Sequence, residues 1–299
     1  MSGLDFAPDG TQIASVDQQN RIAIWDVDTG ALRQTLPGQD DYMHALDWSP
    51  DGTRIASAST DGTVAVWDVA SGARRLSLQG LTPASRRLAG GVTEVAFSPD
   101  GRYVAGMQIF PAGELIVWRV ADGAEVLRIS RSRSFGAFAW TADGTGLRTV
   151  EFDGGLYGWS FPDGTPTTAR SLDVKQLTTL DGTAPVLAAG GEGDILYVVD
   201  PNREEVRYRF PHSAYINRVA VLPDRTAVAG VDGDGILKVW DLDTGTLRFR
   251  RAAHASVAYN VAVHPNSTLV ATAGQDATIR IWNARTGDLV RTIRGDEAR

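Results

Sequence analysis

The chain of 299 residues carries 29 basic and 36 acidic side chains, a formal charge of −7 that argues against generic binding to nucleic-acid phosphates. Hydrophobic residues at 43% and charged ones at 22% describe a folded globular protein with a large core. Cysteine is absent, which excludes disulfides, thiol nucleophiles, iron–sulfur clusters and cysteine-ligated zinc. No apolar run reaches the ~18–20 residues that span a bilayer, and Met1-Ser2-Gly3-Leu4-Asp5 shows neither a basic nor an apolar leader. The expectation is a cytoplasmic protein with no membrane partner.

Tryptophans recur along the chain at Trp25, Trp67, Trp118, Trp159, Trp240 and Trp282. Midway through the one double-length gap stands Leu196-Tyr197-Val198-Val199-Asp200, and taking Val199 as a seventh mark gives spacings of 42, 51, 41, 40, 41 and 42 residues. Each of the seven units reads alike. A first apolar-alternating strand ends at Phe6, Trp48, Phe97, Trp140, Val221 or Val263, and a turn such as Ser49-Pro50-Asp51-Gly52 follows. Next comes a small-residue strand, as in Ile55-Ala56-Ser57-Ala58-Ser59, then Asp61-Gly62, then Thr63-Val64-Ala65-Val66-Trp67. In that third strand Val64 and Val66 face one side, Ala65 and Trp67 the other. A glycine five residues beyond the tryptophan (Gly30, Gly72, Gly123, Gly164, Gly245, Gly287) precedes a fourth strand such as Leu32 to Leu36. One four-stranded sheet cannot hide both faces, so the units must stack, and radial stacking leaves only short edges exposed.

Trp25-Asp26, Trp67-Asp68 and Trp240-Asp241, with Ser-Pro-Asp-Gly upstream and about forty residues per unit, resemble the WD-repeat family of seven-bladed propellers. The resemblance covers about residues 3 to 294 and implies an all-β ring of seven four-stranded antiparallel blades. It further implies a buried network of His, Ser or Thr, Asp and Trp in each blade. Register finds the complete set in the last unit alone, as His254, Thr272, Asp276 and Trp282. The sixth has His212, Asp234 and Trp240 with Gly230 at the hydroxyl position; the second has Ser57, Asp61 and Trp67 with Gln39 in the histidine slot. The fourth keeps Thr149, Asp153 and Trp159 with Arg131 in that slot, and units one, three and five are the most eroded.

Strands and units coincide at about 3–36, 42–79, 91–130, 134–172, 174–210, 215–251 and 257–294, so the expectation is a single propeller over 1–299, a monomeric ring closed without strand exchange. The abrupt start within a first strand suits either a domain of a longer polypeptide or a short native protein.

The sequence offers little chemistry. Neither Lys175 nor Lys238 follows a glycine, His-Glu-x-x-His and Gly-x-Ser-x-Gly are absent, and only four histidines occur. Asp232-Gly233-Asp234-Gly235 has the start of a calcium loop, but Ile236 offers no oxygen at the next ligand position. No catalytic residue, metal or cofactor is expected. Trp48 and Trp140 are read as core, because Phe or Val fills their position elsewhere.

Loops between fourth and first strands, and between second and third strands, are expected on one face of such a ring. Seven extra residues before unit three and two between its second and third strands both fall there. Arg86, Arg87, Arg131 and Arg133 are expected to form a basic patch on that face, with Phe110 as an apolar anchor. Tyr42, His44, Glu94, Phe135, Tyr215, Arg218 and Tyr259 are placed near the channel mouth, as partner contacts or as structural caps. The function expected is a non-catalytic interaction module that docks a protein or peptide, with a fused effector domain as one candidate partner. The alternative is a propeller enzyme or small-ligand binder of the lactonase type, since Leu196-Tyr197-Val198-Val199-Asp200 resembles the Tyr-Val-Thr-Asn repeat. Carboxylates and histidines converging in the channel would favour that alternative. Nucleic-acid binding survives only locally, through the arginine loops.

Overall fold

Alternation in the third strands decides the architecture. Val64 and Val66 pack on the blade that follows theirs, while Ala65 and Trp67 pack on the blade before. A sheet apolar on both faces must be sandwiched, and seven such sheets satisfy one another only in a closed ring. The computed structural model describes residues 3–17, 19–81, 91–109, 113–132, 134–171, 177–182, 186–191, 193–200 and 205–295.

Seven four-stranded antiparallel sheets result, each built from four consecutive strands, so closure involves no exchanged strand. Blade 1 comprises Leu4–Phe6, Gln12–Val16, Ile22–Asp26 and Leu32–Leu36, and blade 7 comprises Ala258–Val263, Leu269–Gly274, Thr278–Asn283 and Leu289–Arg294. First strands line the axis and fourth strands form the rim. The buried core divides into seven clusters, one for each blade-to-blade junction. A buried Val, Leu or Ile contributes ~1.5–3 kcal/mol, so these seven clusters carry the ring.

The closing junction is one of the seven. Ile279, Ile281 and Ile293 of blade 7 pack against Leu4, Phe6, Ile13 and Trp25 of blade 1. The Phe6 and His264 rings meet edge-on at 5.2 Å, and the Arg291 guanidinium donates to the carbonyls of Asp28 and Thr29.

In every blade the pairing of third and fourth strands slips by one residue at the repeat mark, and in blade 5 it slips at Val199. The aspartate after the tryptophan then closes the next turn. Asp26 accepts the Thr29 N–H (2.7 Å) and Asp68 accepts that of Ser71 (2.9 Å), while Gly30 and Gly72 take φ of 75° and 70°. Contacts from Arg33 and Thr29 hold the Asp26 carboxyl well below the usual range; Ser71 contacts lower Asp68 to about 2.

Candidate interaction surface

Both sets of loops that can carry binding residues emerge at one end of the ring. The Thr60 N–H, between second and third strands of blade 2, donates to the Tyr42 carbonyl in the loop leading into that blade (2.9 Å). Gly233 to Tyr215 (3.0 Å) and Gln275 to Val257 (2.9 Å) repeat the link in blades 6 and 7. These bonds satisfy loop backbone and hold the start of each first strand rigid.

Tyr42, Tyr215 and Tyr259 stand on that face, 51%, 47% and 39% exposed. His44 lies half-buried beneath Tyr42, ring edge to face at 5.0 Å, and burial lowers its pKa despite Asp41 nearby. Other residues expected beside them go elsewhere. Phe135 is buried in the core between blades 3 and 4, at the register position that Met43, Ile216 and Ala258 fill in blades 2, 6 and 7. Glu94 is buried and takes the Arg218 guanidinium across the channel, from blade 3 to blade 6. Each satisfies the other's charge, and both lie inside the channel rather than at its rim. Arg131 donates through Nε to buried Glu151 (2.9 Å) and lies over the rings of Tyr157 (4.5 Å) and Trp159 (5.6 Å). Arg86, Arg87, Phe110 and Arg133 lie outside the described residues.

Beneath this face run the side-chain networks. In blade 7 His254 Nδ1 meets Asp276 (2.9 Å), His254 Nε2 meets the Thr272 hydroxyl (2.9 Å), and the Trp282 indole donates to that hydroxyl (3.1 Å). In blade 2 the Gln39 amide replaces histidine: it donates to Thr63 Oγ1 (2.8 Å) and accepts from Ser57 (2.6 Å), which accepts the Trp67 indole (2.8 Å). Blade 4 keeps Trp159 on Thr149 (3.0 Å). Blade 1 is less eroded than its sequence suggests: Trp25 donates to Ser15 (3.1 Å), and Asp17 accepts the Arg21 side chain and the N–H groups of Gln19 and Arg21. In blade 6 the histidine partner is Asp232 at 3.3 Å, not Asp234. Asp232 also caps the turn, accepting the N–H groups of Asp234 and Ile236. Burial holds His212 and His254 below the ordinary histidine pKa, opposed by their aspartates, so both are neutral at pH 7.

The channel encloses about 520 Å³, running from Glu94, Arg218 and Asn260 to Pro223 and Arg225 in the turn that follows the first strand of blade 6. Two layers of side chains line it. Glu94, Thr179, Arg218 and Asn260 share one register position; two residues further along, blades 1, 2 and 5 present Asp5, Asp47 and Asp181 where the other four present Ala96, Ala139, Ala220 and Ala262. The repeat pattern alone does not single out these three aspartates as functional residues. Their signal is the repeated Leu-Asp at the ends of first strands: Leu4-Asp5, Leu46-Asp47 and Leu180-Asp181.

Each carboxylate fastens one blade to the next. Asp5 accepts the Trp48 N–H (2.9 Å), Asp47 that of Phe97 (2.7 Å), Glu94 that of Phe138 (3.0 Å) and Asp181 that of Val221 (2.7 Å). Burial nevertheless dominates their titration. It pushes Asp5 up to about 7 against the Trp48 N–H bond, and it holds Asp47 well above the usual carboxylate range with Asp5 adding to the effect. Glu94 and Asp181 are raised by burial too, opposed chiefly by Arg218 and by the Val221 N–H respectively. Burial works against the Arg218 charge, but Glu94 and Asp181 outweigh it and raise its pKa. Among the described residues no three of His, Asp and Glu are placed to hold a metal ion together.

The WD domain, G-beta repeat family model matches residues 30–68, 204–241 and 245–283. Each match begins around the fourth strand of one blade and ends on the third strand of the next, so a repeat straddles a junction. No curated protein sequence matches the chain. A chain in the crystal structure of a mitotic checkpoint complex is similar in fold: TM-score 0.81 at 16% identity, over 95% of this chain and 86% of that one. With this repeat matched in three places and seven blades of one plan closed around an axis, the chain is a seven-bladed β-propeller that carries WD, G-beta repeats over those residues.

Proposed function

We propose that the protein is a non-catalytic interaction module that docks a peptide segment of a protein partner on the face bearing Tyr42, Tyr215 and Tyr259. The observation that carries this reading is the exposure of three tyrosines at the starts of first strands, on backbone held by cross-loop hydrogen bonds. Tyrosine gives contact area at small entropic cost, and a rigid support spares the interface the cost of ordering its own loops. The family supports it as well, since WD-repeat propellers generally bind protein partners. The partner is a separate chain or a tethered effector domain.

Catalysis in the channel has weaker support. Four carboxylates do converge there, but each holds a backbone N–H of the next blade, and no histidine lines the cavity. A carboxylate fixed in this way staples the ring and is poorly placed to shuttle protons.

The test is capture of the native partner by Tyr42→Ala, Tyr215→Ala and Tyr259→Ala combined in one variant. Loss of capture with unchanged circular dichroism is expected, and undiminished capture would overturn the assignment of this face.

A further inference from the structure

We propose that the docked segment is basic, with arginine or lysine side chains set among Tyr42, Tyr215 and Tyr259 and against Asp40, Asp41 and Asp234. This deepens the reading above and rests on it: the face is the same, and what is added is the chemistry of its occupant.

Blades 6, 7, 1 and 2 form one unbroken arc, joined by three of the apolar junctions. Its face carries Tyr215 and Asp234 on blade 6, Tyr259 on blade 7, and Asp40, Asp41 and Tyr42 leading into blade 2, all exposed. Of the described cations on these blades, Arg250 and Arg294 sit on the outer fourth strands and Lys238 donates to the Pro211 carbonyl (2.8 Å). Arg21 is paired with Asp17 at 2.7 Å, and Arg280 reaches toward Asp276 at 3.7 Å. His44 under Tyr42 is held below its ordinary pKa by burial and adds no positive charge at pH 7. The described arc therefore presents aromatic faces and unneutralised carboxylates together. A guanidinium or ammonium group satisfies both at once, through cation–π contact and charge-assisted hydrogen bonds. An acidic segment would meet repulsion there. Arg86, Arg87 and Arg133 belong in the sequence to the segments that precede blades 3 and 4 and lie outside the described residues.

The test is fluorescence anisotropy with two fluorescein-labelled probes, an alternating Arg-Ser peptide and its Glu-Ser counterpart, titrated with the whole protein. Binding of the arginine probe alone is expected, weakening as salt rises from about 0.05 to 0.5 M. The triple change Asp40→Asn, Asp41→Asn, Asp234→Asn should weaken it roughly tenfold, the combined effect of three exposed charge pairs. Asp28→Asn, Asp163→Asn and Asp243→Asn alter the net charge equally at exposed turns on the other end of the ring and should change binding less than about twofold. Equal losses in the two variants would reduce the effect to attraction by a chain of charge −7 and overturn the proposal, as would tighter binding of the glutamate probe. If the native partner is lost on changing the tyrosines but not the three aspartates, the docking face stands and the basic segment falls. If it survives both, the two readings fall together.

Discussion

Blades 6 and 7 share one plan and differ by one hydroxyl. In blade 7 Thr272 stands between His254 and Trp282 and bonds both; in blade 6 its position is Gly230, and His212 Nε2 and Trp240 Nε1 are buried without a partner. Blade 6 compensates through stacking. Trp240 lies flat on Phe210 (4.6 Å, 3° between planes), and Phe210 stacks in turn on Tyr208 at 5.2 Å. The histidine network is thus one of several ways to fix the tryptophan. Its worth is set by the penalty for leaving buried polar nitrogens unpaired more than by the bonds themselves. Blade 4 makes the same point with a charge, since Arg131 fills the histidine slot and answers buried Glu151.

The largest effect that would break this comparison is expected in blade 4. Arg131→Ala strands the Glu151 carboxylate in the core and should cost about 3 kcal/mol in urea unfolding, against a few tenths for an arginine that serves only a partner. Stability equal to wild type would return Arg131 to the interaction surface. Next is Thr272→Val, which keeps volume and puts blade 7 in the condition of blade 6. With the Trp282 N–H and the His254 Nε2 acceptor both orphaned, and no stacked ring on Trp282 among the described residues, a loss of about 2–3 kcal/mol is expected by the same measurement.

A third contrast sets the stapled junctions against the others. Asp5 fastens blade 1 to blade 2 with a carboxyl raised to about 7 from 3.8, so the folded state holds a proton that the unfolded chain has released. The stability this group contributes is full below pH 3.8 and is lost as pH rises through about 7. Asp5→Asn keeps an oxygen for the Trp48 N–H without the charge. It should raise stability at pH 8 by on the order of 1 kcal/mol and leave pH 4 nearly unchanged, as read from melting curves at both. A gain equal at both values would mean that the carboxyl does not titrate in this range. Smaller again is the difference between Trp282→Phe and Trp240→Phe. The first breaks a buried bond and the second breaks none, so the first should cost about 1 kcal/mol more in the same unfolding assay.

The periodic features were legible because each is set within some forty residues. Turn chemistry, strand alternation and the tryptophan–hydroxyl pair repeat in register, and even Val199 keeps the slip that tryptophan marks elsewhere. Contacts across the ring were not legible. Glu94 and Arg218 are 124 residues apart, and no local pattern states that blades 3 and 6 face one another at one depth of the channel. Asp232 and Asp234 show a subtler limit. Both lie on the same side of the chain by a period of two, and the choice falls to the carboxylate whose backbone is already in the strand. Arg131 shows the same limit, since the carboxylate that holds it, Glu151, is buried on another strand twenty residues on.

The last difference between blades 6 and 7 favours blade 6. Both turn from second to third strand through a left-handed residue, which is Gly235 at φ 75° in blade 6 and Ala277 at φ 58° in blade 7. The turn bonds match, with the Gly235 N–H on Asp232 at 3.1 Å and the Ala277 N–H on Gly274 at 3.2 Å, so geometry does not excuse the alanine. A Cβ in that region costs roughly 1–2 kcal/mol, and glycine returns roughly 0.5–1 kcal/mol of it as lost chain entropy. Ala277→Gly should therefore stabilise the protein by about 0.5–1 kcal/mol, a small rise in melting temperature with the Asp276 bonds intact. A fall instead would mean that the alanine methyl makes a favourable contact in blade 7 that outweighs its backbone strain, and that the two turns are alike in form but not in what holds them.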